Sequence, residues 1–242
     1  MQRFLPVIVK PTWITRISEK LGFQGRYTYP QNTMQISAKC MYAIMSEIVD
    51  HKELMSFCHL PDKFSSYAHV IFLHTYLLSH RLASASGQSG RFTRNELIKF
   101  MWNDLAVRAK LLGTSSASLR RQQLNELSDQ FRATVIGYDE GCLGSDAQLA
   151  ASIYRHLLRC SETNWDDNVK ELLQILLVMV RYVRKNLHHL HNSVSHSELL
   201  KTGHISLLPL HTDKINYDKI ERLKRLFYSS KSTPSIKHNI II

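Results

Sequence analysis

Residues 67–78 form the part of the sequence that most restricts the fold. Drawn as a helix, this stretch is apolar on nearly every side, because only His69, His74 and Thr75 interrupt it. A helix of this kind has no face to give to water and lies at the centre of a bundle. Flanking segments repeat apolar residues at the helical period, and none shows the strand–turn–helix alternation of an α/β protein. We therefore expect an all-α, single-domain bundle of seven or eight helices.

Two capping-box patterns predict where helices begin. In Thr93-Arg94-Asn95-Glu96 and Ser145-Asp146-Ala147-Gln148, a hydroxyl and a side chain three residues later can satisfy free backbone N–H groups. Helices are also predicted over residues 34–49, 65–83, 93–113 and 118–136, the last one ending in the glycine-bearing segment 137–141. Ser195 is expected to cap a short turn, and residues 203–210 are expected to be extended.

The longest helix is predicted from about residue 166 to about residue 191. It has a continuous apolar stripe and a polar face, so we expect the stripe to pack on the core. The stripe consists of Val169, Leu172, Leu173, Leu176, Val180, Val183, Leu187 and Leu190, with Lys170, Gln174, Arg181, Lys185 and His188 opposite.

The net charge of +11 is concentrated at the two ends of the chain. Residues 1–46 hold six basic residues and one acidic residue, and residues 201–242 hold eight and three, whereas the middle is nearly neutral. Basic ends favour anionic surfaces such as nucleic acid or acidic lipid headgroups, although they also serve solubility alone. We divide the chain into a basic N-terminal segment (1–30), a helical domain (31–210), and a basic helix with a loose tail (211–242).

The N-terminal segment and the cysteines indicate in which cellular compartment the protein is located. The first 18 residues contain no acidic residue, which is typical of mitochondrial targeting, although Pro6 and Pro11 interrupt an amphipathic helix. The four cysteines lack CxxC spacing, which argues against a zinc module or a disulfide framework and favours a reducing compartment. No apolar run reaches the roughly 20 residues of a membrane span.

Histidines are the first candidates for chemistry. His188 and His191 lie one turn apart, near His189 and His196, and a pair at this spacing can share a metal. However, cations are also favoured at a helix C-terminus, and no Cys or acidic residue lies beside them at ligand spacing. His74, within the apolar helix, is more typical of a hydrogen-bonded core group than of a base. We therefore predict no catalytic residue, metal or cofactor, with an α-helical metal enzyme as an alternative.

Charged pairs are expected to hold the helices together. Asp104 and Arg108 lie four residues apart on a predicted helix and can pair. Asp139 or Glu140 is expected to pair with Arg108 or Arg155 and so fix the corner between two helices.

Five short motifs in a fixed order resemble those of the ubiquinol–cytochrome c chaperone family. Gly137-Tyr138-Asp139-Glu140-Gly141, followed by Asp146 and residues 149–155, resembles the family pattern GYDEG…D…LAAALWR. The remaining motifs are residues 100–104 with Arg108, residues 60–64 with His74 and Arg81, residues 200–203, and Pro209-Leu210. The resemblance covers roughly residues 21–210. It departs at Tyr154, where the family usually has Trp, and at Cys142, where an aliphatic residue is common.

The resemblance implies an α-helical assembly factor for the cytochrome bc1 complex (respiratory complex III) and not an enzyme. Family members bind newly made cytochrome b together with a small partner protein, near the mitoribosome on the matrix side of the mitochondrial inner membrane. A soluble protein that binds a polypeptide as apolar as cytochrome b needs an apolar groove between its helices. The residues that match the motifs are expected to be structural or to form an interface: His74, Arg81, Trp102, Asp104, Arg108, Tyr138, Asp139, Glu140, Asp146 and Arg155.

Basic residues interleaved with aromatic residues leave nucleic-acid binding open as an alternative function. Residues 26–29 and 224–228 combine the two, which suits base stacking with phosphate contact. Arg222, Lys224 and Arg225 are therefore expected to contact an anionic surface such as ribosomal RNA or the membrane. The alternative function is an RNA-binding translational activator of the cytochrome b message.

Overall fold

The computed structural model describes residues 27–84, 87–113 and 116–211, and this part of the chain is helical without a strand. It contains eight α-helices and one 3₁₀ turn, Leu158–Cys160. The helices are α1 Gln31–Ile48, α2 His51–Phe57, α3 Phe64–Ala83, α4 Gln88–Leu111, α5 Ala117–Leu143, α6 Asp146–His156, α7 Val169–Ser193 and α8 His196–Thr202. The predicted all-α fold is confirmed. The predicted targeting segment and the C-terminal basic helix, with Arg222, Lys224 and Arg225, lie outside the described residues.

Helix α3 lies at the centre, as its sequence predicts. Fifteen of its 20 residues are buried. It packs extensively against α4, α5 and α7 and less extensively against α1 and α2. Around this axis, α1 packs on α4 and α8, and α6 joins α5 to α7. The core is therefore continuous from α1 through α3 to α7.

The predicted start at Thr93 is wrong. Helix α4 begins at Gln88, after Gly87 with a φ of 86°, so Thr93 lies inside the helix. Thr93 is fully buried, and its hydroxyl donates to the carbonyl of Ser89 at 2.8 Å, a bond typical of a helix interior. The second pattern is confirmed, because Ser145 and Gln148 make both bonds of a capping box at the start of α6. Ser195 caps α8 in a similar way.

The predicted end of α5 is also wrong, because the helix runs through residues 137–141 to Leu143. Gly137 and Gly141 lie four residues apart on one face and allow α6 to approach closely. A Cβ at Gly137 would lie 2.2 Å from the ring of His156, and one at Gly141 would lie 2.9 Å from the Cα of Leu149. Ser152 of α6 donates to the carbonyl of Gly137 at 2.6 Å. The motif thus serves helix packing, and α5, with 27 residues, is longer than the 25-residue α7.

Two segments that carry no strong helical signal are held by side chains. Helix α2 was not predicted, and the carboxylate of Asp50 caps it by accepting from the N–H of Glu53 at 2.9 Å. Residues 203–210 have no regular secondary structure but are largely buried. Asn186 of α7 bonds to both the N–H and the carbonyl of Leu208, at 2.8 and 3.2 Å, and so holds this segment against the bundle.

Arg81 fixes α3 to the end of α7. Its side chain is 2% exposed, and its guanidinium donates to the carbonyls of Leu190 at 2.7 Å and Val194 at 2.5 Å. The last carbonyls of a helix lack partners within the helix, and a cation there also interacts favourably with the helix dipole. Arg81 is therefore a C-terminal cap supplied by a different helix.

We predict that Arg81→Met lowers the free energy of unfolding by about 2–4 kcal/mol, because two buried carbonyls lose their charged donor. The matched control is Arg132→Met on α5, where the side chain is 75% exposed and pairs with Asp129 in its own helix. We expect the control to change stability by no more than about 0.5 kcal/mol in urea unfolding. Equal effects of the two substitutions would contradict the capping role.

Candidate functional site

His74 is a hydrogen-bonded group of the core, as its apolar surroundings predict. Its Nδ1 lies 2.7 Å from the carbonyl of Val70, and its Nε2 lies 2.7 Å from the hydroxyl of Tyr182 on α7. Burial lowers the pKa of His74 to about 3, so the ring is neutral. A carbonyl only accepts, so Nδ1–H donates to Val70 and Nε2 accepts from Tyr182. Both ring nitrogens are engaged in holding α3 against α7.

Asp104 and Arg108 on α4 together connect three helices. It is 5% exposed, and its Oδ2 accepts from the hydroxyl of Tyr42 at 2.7 Å and from Nε of Arg108 at 2.8 Å. The guanidinium of Arg108 lies over the ring of Tyr67, 4.9 Å from its centroid. Burial, followed by the charge of Asp104, raises the pKa of Tyr42 well above its ordinary value, so this hydroxyl stays a donor. The predicted pair of Asp104 and Arg108 is present, and it links α4 to α1 and α3.

Of the two aromatic motif residues, Tyr138 lies in the core and the half-buried Trp102 packs against it. Trp102 on α4 lies between Phe72 of α3 and Phe131 of α5, with ring centroids 5.8 Å away in both cases. Tyr138 is fully buried on α5 and lies 5.3 Å from the ring of Tyr76. These distances are typical of favourable aromatic pairs. Both residues therefore join α3 to its neighbours.

The expected pairing of Asp139 or Glu140 with Arg108 or Arg155 is wrong. Both acidic residues are exposed on α5, because the helix turns Tyr138 toward the core and the next two side chains toward water. Arg108 is engaged by Asp104, and Arg155 lies exposed on α6 with its Nε 3.3 Å from the carbonyl of Ala151.

Arg184 on α7 fixes the corner instead. Its guanidinium donates to the carbonyls of Cys142 at 2.6 Å and Gly144 at 2.8 Å, and its Nε lies 3.1 Å from the carboxylate of Asp146. Arg184 thereby caps the end of α5 and pairs with the first residue of α6. Sequence reasoning missed it because its partners lie about 40 residues away; the only local signal was a basic residue on the side of α7 next to the apolar stripe.

The histidines at and just after the end of α7 each contact a different side chain of this protein. His191 Nε2 lies 3.2 Å from His80 Nδ1, His189 Nε2 lies 2.7 Å from the hydroxyl of Ser206, and His188 contacts Asn192. His196 lies 3.5 Å from Ser84. Within the described residues, no three His, Cys, Asp or Glu side chains are placed to hold a metal ion.

The outer face of α7 exposes three apolar side chains, two of which, Val169 and Leu173, the sequence predicts to be inside. Val169, Leu173 and Leu177 are 50%, 60% and 63% exposed. The predicted stripe is therefore wrong at Val169 and Leu173. The same side of α7 is buried further along, at Val180 and Leu187, near Arg184, which pairs with Asp146 at the start of α6. A shallow, open depression adjoins this face and is lined by Asp146, Leu177, Val180, Arg181, Arg184, Lys185 and His188. No helix in the described residues is long and apolar enough to cross a membrane.

The family model described as ubiquinol-cytochrome C chaperone matches residues 57–205, more than half of the chain. The chain belongs to this family. The family consists of chaperones and assembly factors and is not an enzyme family. The match covers α3 to α8, and therefore includes Arg81, Asp104 and Arg184.

Two relatives and one solved structure are similar to the chain. The human ubiquinol-cytochrome c reductase complex assembly factor 1 is 31% identical over 85% of this chain, which spans 65% of the length of that relative. The Saccharomyces cerevisiae protein CBP3, mitochondrial, is 27% identical over 40% of this chain and 30% of its own length. The crystal structure of the Cbp3 homolog from Brucella abortus has a TM-score of 0.60 at 15% identity and covers 83% of this chain and 99% of that one. That last likeness shows the shared fold alone.

In this family member, we predict that Asp104→Ala lowers the free energy of unfolding by about 3 kcal/mol, because Arg108 and Tyr42 lose a buried charged partner. The matched control is Asp129→Ala on α5, whose carboxylate is 78% exposed and pairs with Arg132 three residues away, and which is expected to change stability by no more than about 0.5 kcal/mol. Urea unfolding of both variants provides the comparison. A loss at Asp129 as large as the one at Asp104 would contradict this assignment.

Proposed function

We propose that the chain is an assembly chaperone for mitochondrial respiratory complex III that binds newly synthesised cytochrome b together with a small partner protein. The observation that carries the proposal is the exposed apolar face of α7 in a member of a chaperone family. Most of the ionisable motif residues of this chain hold its helices together. His74, Arg81 and Asp104 are all buried and engaged with other helices. Binding through a surface, not catalysis in a cleft, is what such an arrangement supports.

The location we propose is the matrix side of the inner membrane, near the mitoribosome. Family relatives carry names that refer to ubiquinol-cytochrome c reductase assembly and, in yeast, to mitochondria. The basic ends of this chain suit peripheral contact with ribosomal RNA or with an acidic lipid surface, because such contacts depend on clustered positive charge. Arg222, Lys224 and Arg225 are the residues we assign to this contact.

The charge at the two ends also favours a second candidate, an RNA-binding translational activator of the cytochrome b message. The two functions differ in what is bound: a polypeptide through apolar contacts or a transcript through phosphates. Binding to RNA weakens steeply with salt, whereas apolar binding does not.

The test isolates the tagged full chain from mitochondria whose translation products have been pulse-labelled. We expect labelled cytochrome b and one small protein to be recovered together after nuclease treatment and at raised salt. Loss of the chain is expected to lower assembled complex III more than the other respiratory complexes. Recovery of neither protein would contradict the proposal, and recovery of the cytochrome b transcript alone, lost at raised salt, would favour the activator.

A further inference from the structure

The C-terminal ends of α3 and α7 meet through two neighbouring contacts. Arg81 donates to the carbonyl of Leu190 at 2.7 Å, and beside this bond His80 Nδ1 lies 3.2 Å from His191 Nε2. The two imidazole rings meet edge to face, with centroids 5.4 Å apart and planes at 77°. His80 and His191, from here on the histidine pair, therefore join the two helix ends through a hydrogen bond between two titratable groups.

The hydrogen bond of the histidine pair requires a single proton on the two facing nitrogens. One nitrogen donates its N–H and the other accepts with its lone pair, which a neutral imidazole provides. Protonation of one ring is compatible with this bond, because the charged ring then acts as the donor. Once both rings are protonated, two N–H groups and two positive charges face each other across 3.2 Å, and the hydrogen bond is lost.

The charged groups around the histidine pair make a second proton unfavourable. Arg81, next to His80 on α3, carries a fixed positive charge. Ser84 Oγ accepts from Arg81 at 3.3 Å and lies 3.5 Å from Nε2 of His196, at the start of α8. The charge of Asp139 on α5 acts on His80 in the opposite direction. Full protonation would therefore place up to four positive charges at this junction against the carboxylate of Asp139.

The electrostatic environment of the three histidines favours their neutral forms. Burial lowers the pKa of His80, although the charge of Asp139 opposes this shift. Burial lowers the pKa of His191, and the charges of its basic neighbours lower it further. Burial, followed by the charge of Arg81, also lowers the pKa of His196. Because the ordinary pKa of histidine is about 6.5, the pair stabilises the fold above this value and loses its contribution as the pH falls through the lower folded-state values.

Contacts on either side confine the effect of this loss to a short segment. The carbonyl of Leu199 on α8 accepts from the hydroxyl of Ser37 on α1 at 2.6 Å, and a Cβ on Gly203 would lie 2.1 Å from the carbonyl oxygen of Ser37. Residues 199–203 are therefore held on α1 without α3. The segment before them, residues 190–196, contacts the end of α3 through the histidine pair, Arg81 and Ser84. Since the bonds of Arg81 remain, loss of the pair loosens this segment without unfolding the domain.

We propose that the histidine pair is a pH switch: it holds residues 190–196 against α3 while the two rings share one proton, and it loosens this segment when acid protonates both rings. The switch is closed at neutral and alkaline pH and opens in mildly acidic solution. The bistable element is the junction of α3, α7 and α8, and the signal is the proton itself. This inference goes beyond the proposed function and does not depend on it, because it uses contacts within the chain alone.

The first test follows the imidazole signals of the full chain by NMR from about pH 8 to about pH 4. We expect the histidine pair to titrate as a coupled unit, in two separate steps. A glutamine in place of either ring can still donate and accept, so His80→Gln and His191→Gln keep a hydrogen bond in both protonation states of the remaining ring. In either variant we expect the lower step to disappear and the remaining histidine to titrate at least about 0.5 pH unit above it.

The matched control is His188→Gln, one turn earlier on α7, whose exposed ring contacts Asn192 of the same helix. It should leave both steps of the histidine pair within about 0.2 pH unit of their original positions. Circular dichroism should show that all variants are folded. If the pair titrates in one step, or if the control removes the lower step as His80→Gln does, the pH switch is wrong.

The second test needs no substitution to give a result. Amide hydrogen exchange of the full chain is measured at about pH 7.5 and about pH 5, with correction for the chemical exchange rate. We expect protection of residues 190–196 to fall at least about fivefold at the lower pH, while residues 199–203 keep theirs. His191→Gln should reduce this fall, and His188→Gln should leave it unchanged. Equal protection of residues 190–196 at the two pH values overturns the proposal, and so does a fall of equal size in all helices, which would be general acid unfolding.

Discussion

The burial of α3 is the constraint on which the rest of the structure depends. A helix enclosed by its neighbours removes its side chains from water, and its ionisable groups His74 and Arg81 then need partners inside the protein. His74 meets this need with the hydroxyl of Tyr182, and Arg81 meets it with the carbonyls at the end of α7. Both solutions use α7, so the position of α7 against α3 is set by directional bonds as well as by apolar packing.

Helix α7 therefore has two roles on two faces. Its inner face carries Tyr182 and Asn186, which fix α3 and the segment 203–210, and Arg184 at its side fixes the corner between α5 and α6. Because so many elements are tied to it, the helix is a rigid base for whatever binds outside. A rigid surface loses little conformational freedom on binding, which favours affinity. The apolar residues on its outer face lie on this base.

The sequence predicts the class of fold better than the roles of single residues. Apolar periodicity is local, so residues 67–78 correctly predict a buried central helix. The capping-box pattern is also local, but at Thr93 burial within a longer helix overrides it, whereas Ser145 is exposed and follows it. The local pattern predicts a helix end at Gly137 and Gly141, because glycine is common at the ends of helices. Their actual role, close approach of α6, depends on a neighbour that the local pattern does not show.

The candidate site was predicted only in part, for a related reason. The pair of Asp104 and Arg108 lies within one helix and is readable from spacing, whereas its link to Tyr42 spans 62 residues. The exposure of Val169 and Leu173 depends on which neighbouring elements cover that side of α7, and the apolar pattern on α7 does not contain this information. We infer that the buried ionisable groups of α3 hold the surrounding helices together and take no part in a reaction. The most direct test is an NMR titration of His74 in the folded chain. The structure predicts a ring that stays neutral down to about pH 3, with Nδ1 protonated. A ring that titrates between pH 6 and 7 would contradict the claim.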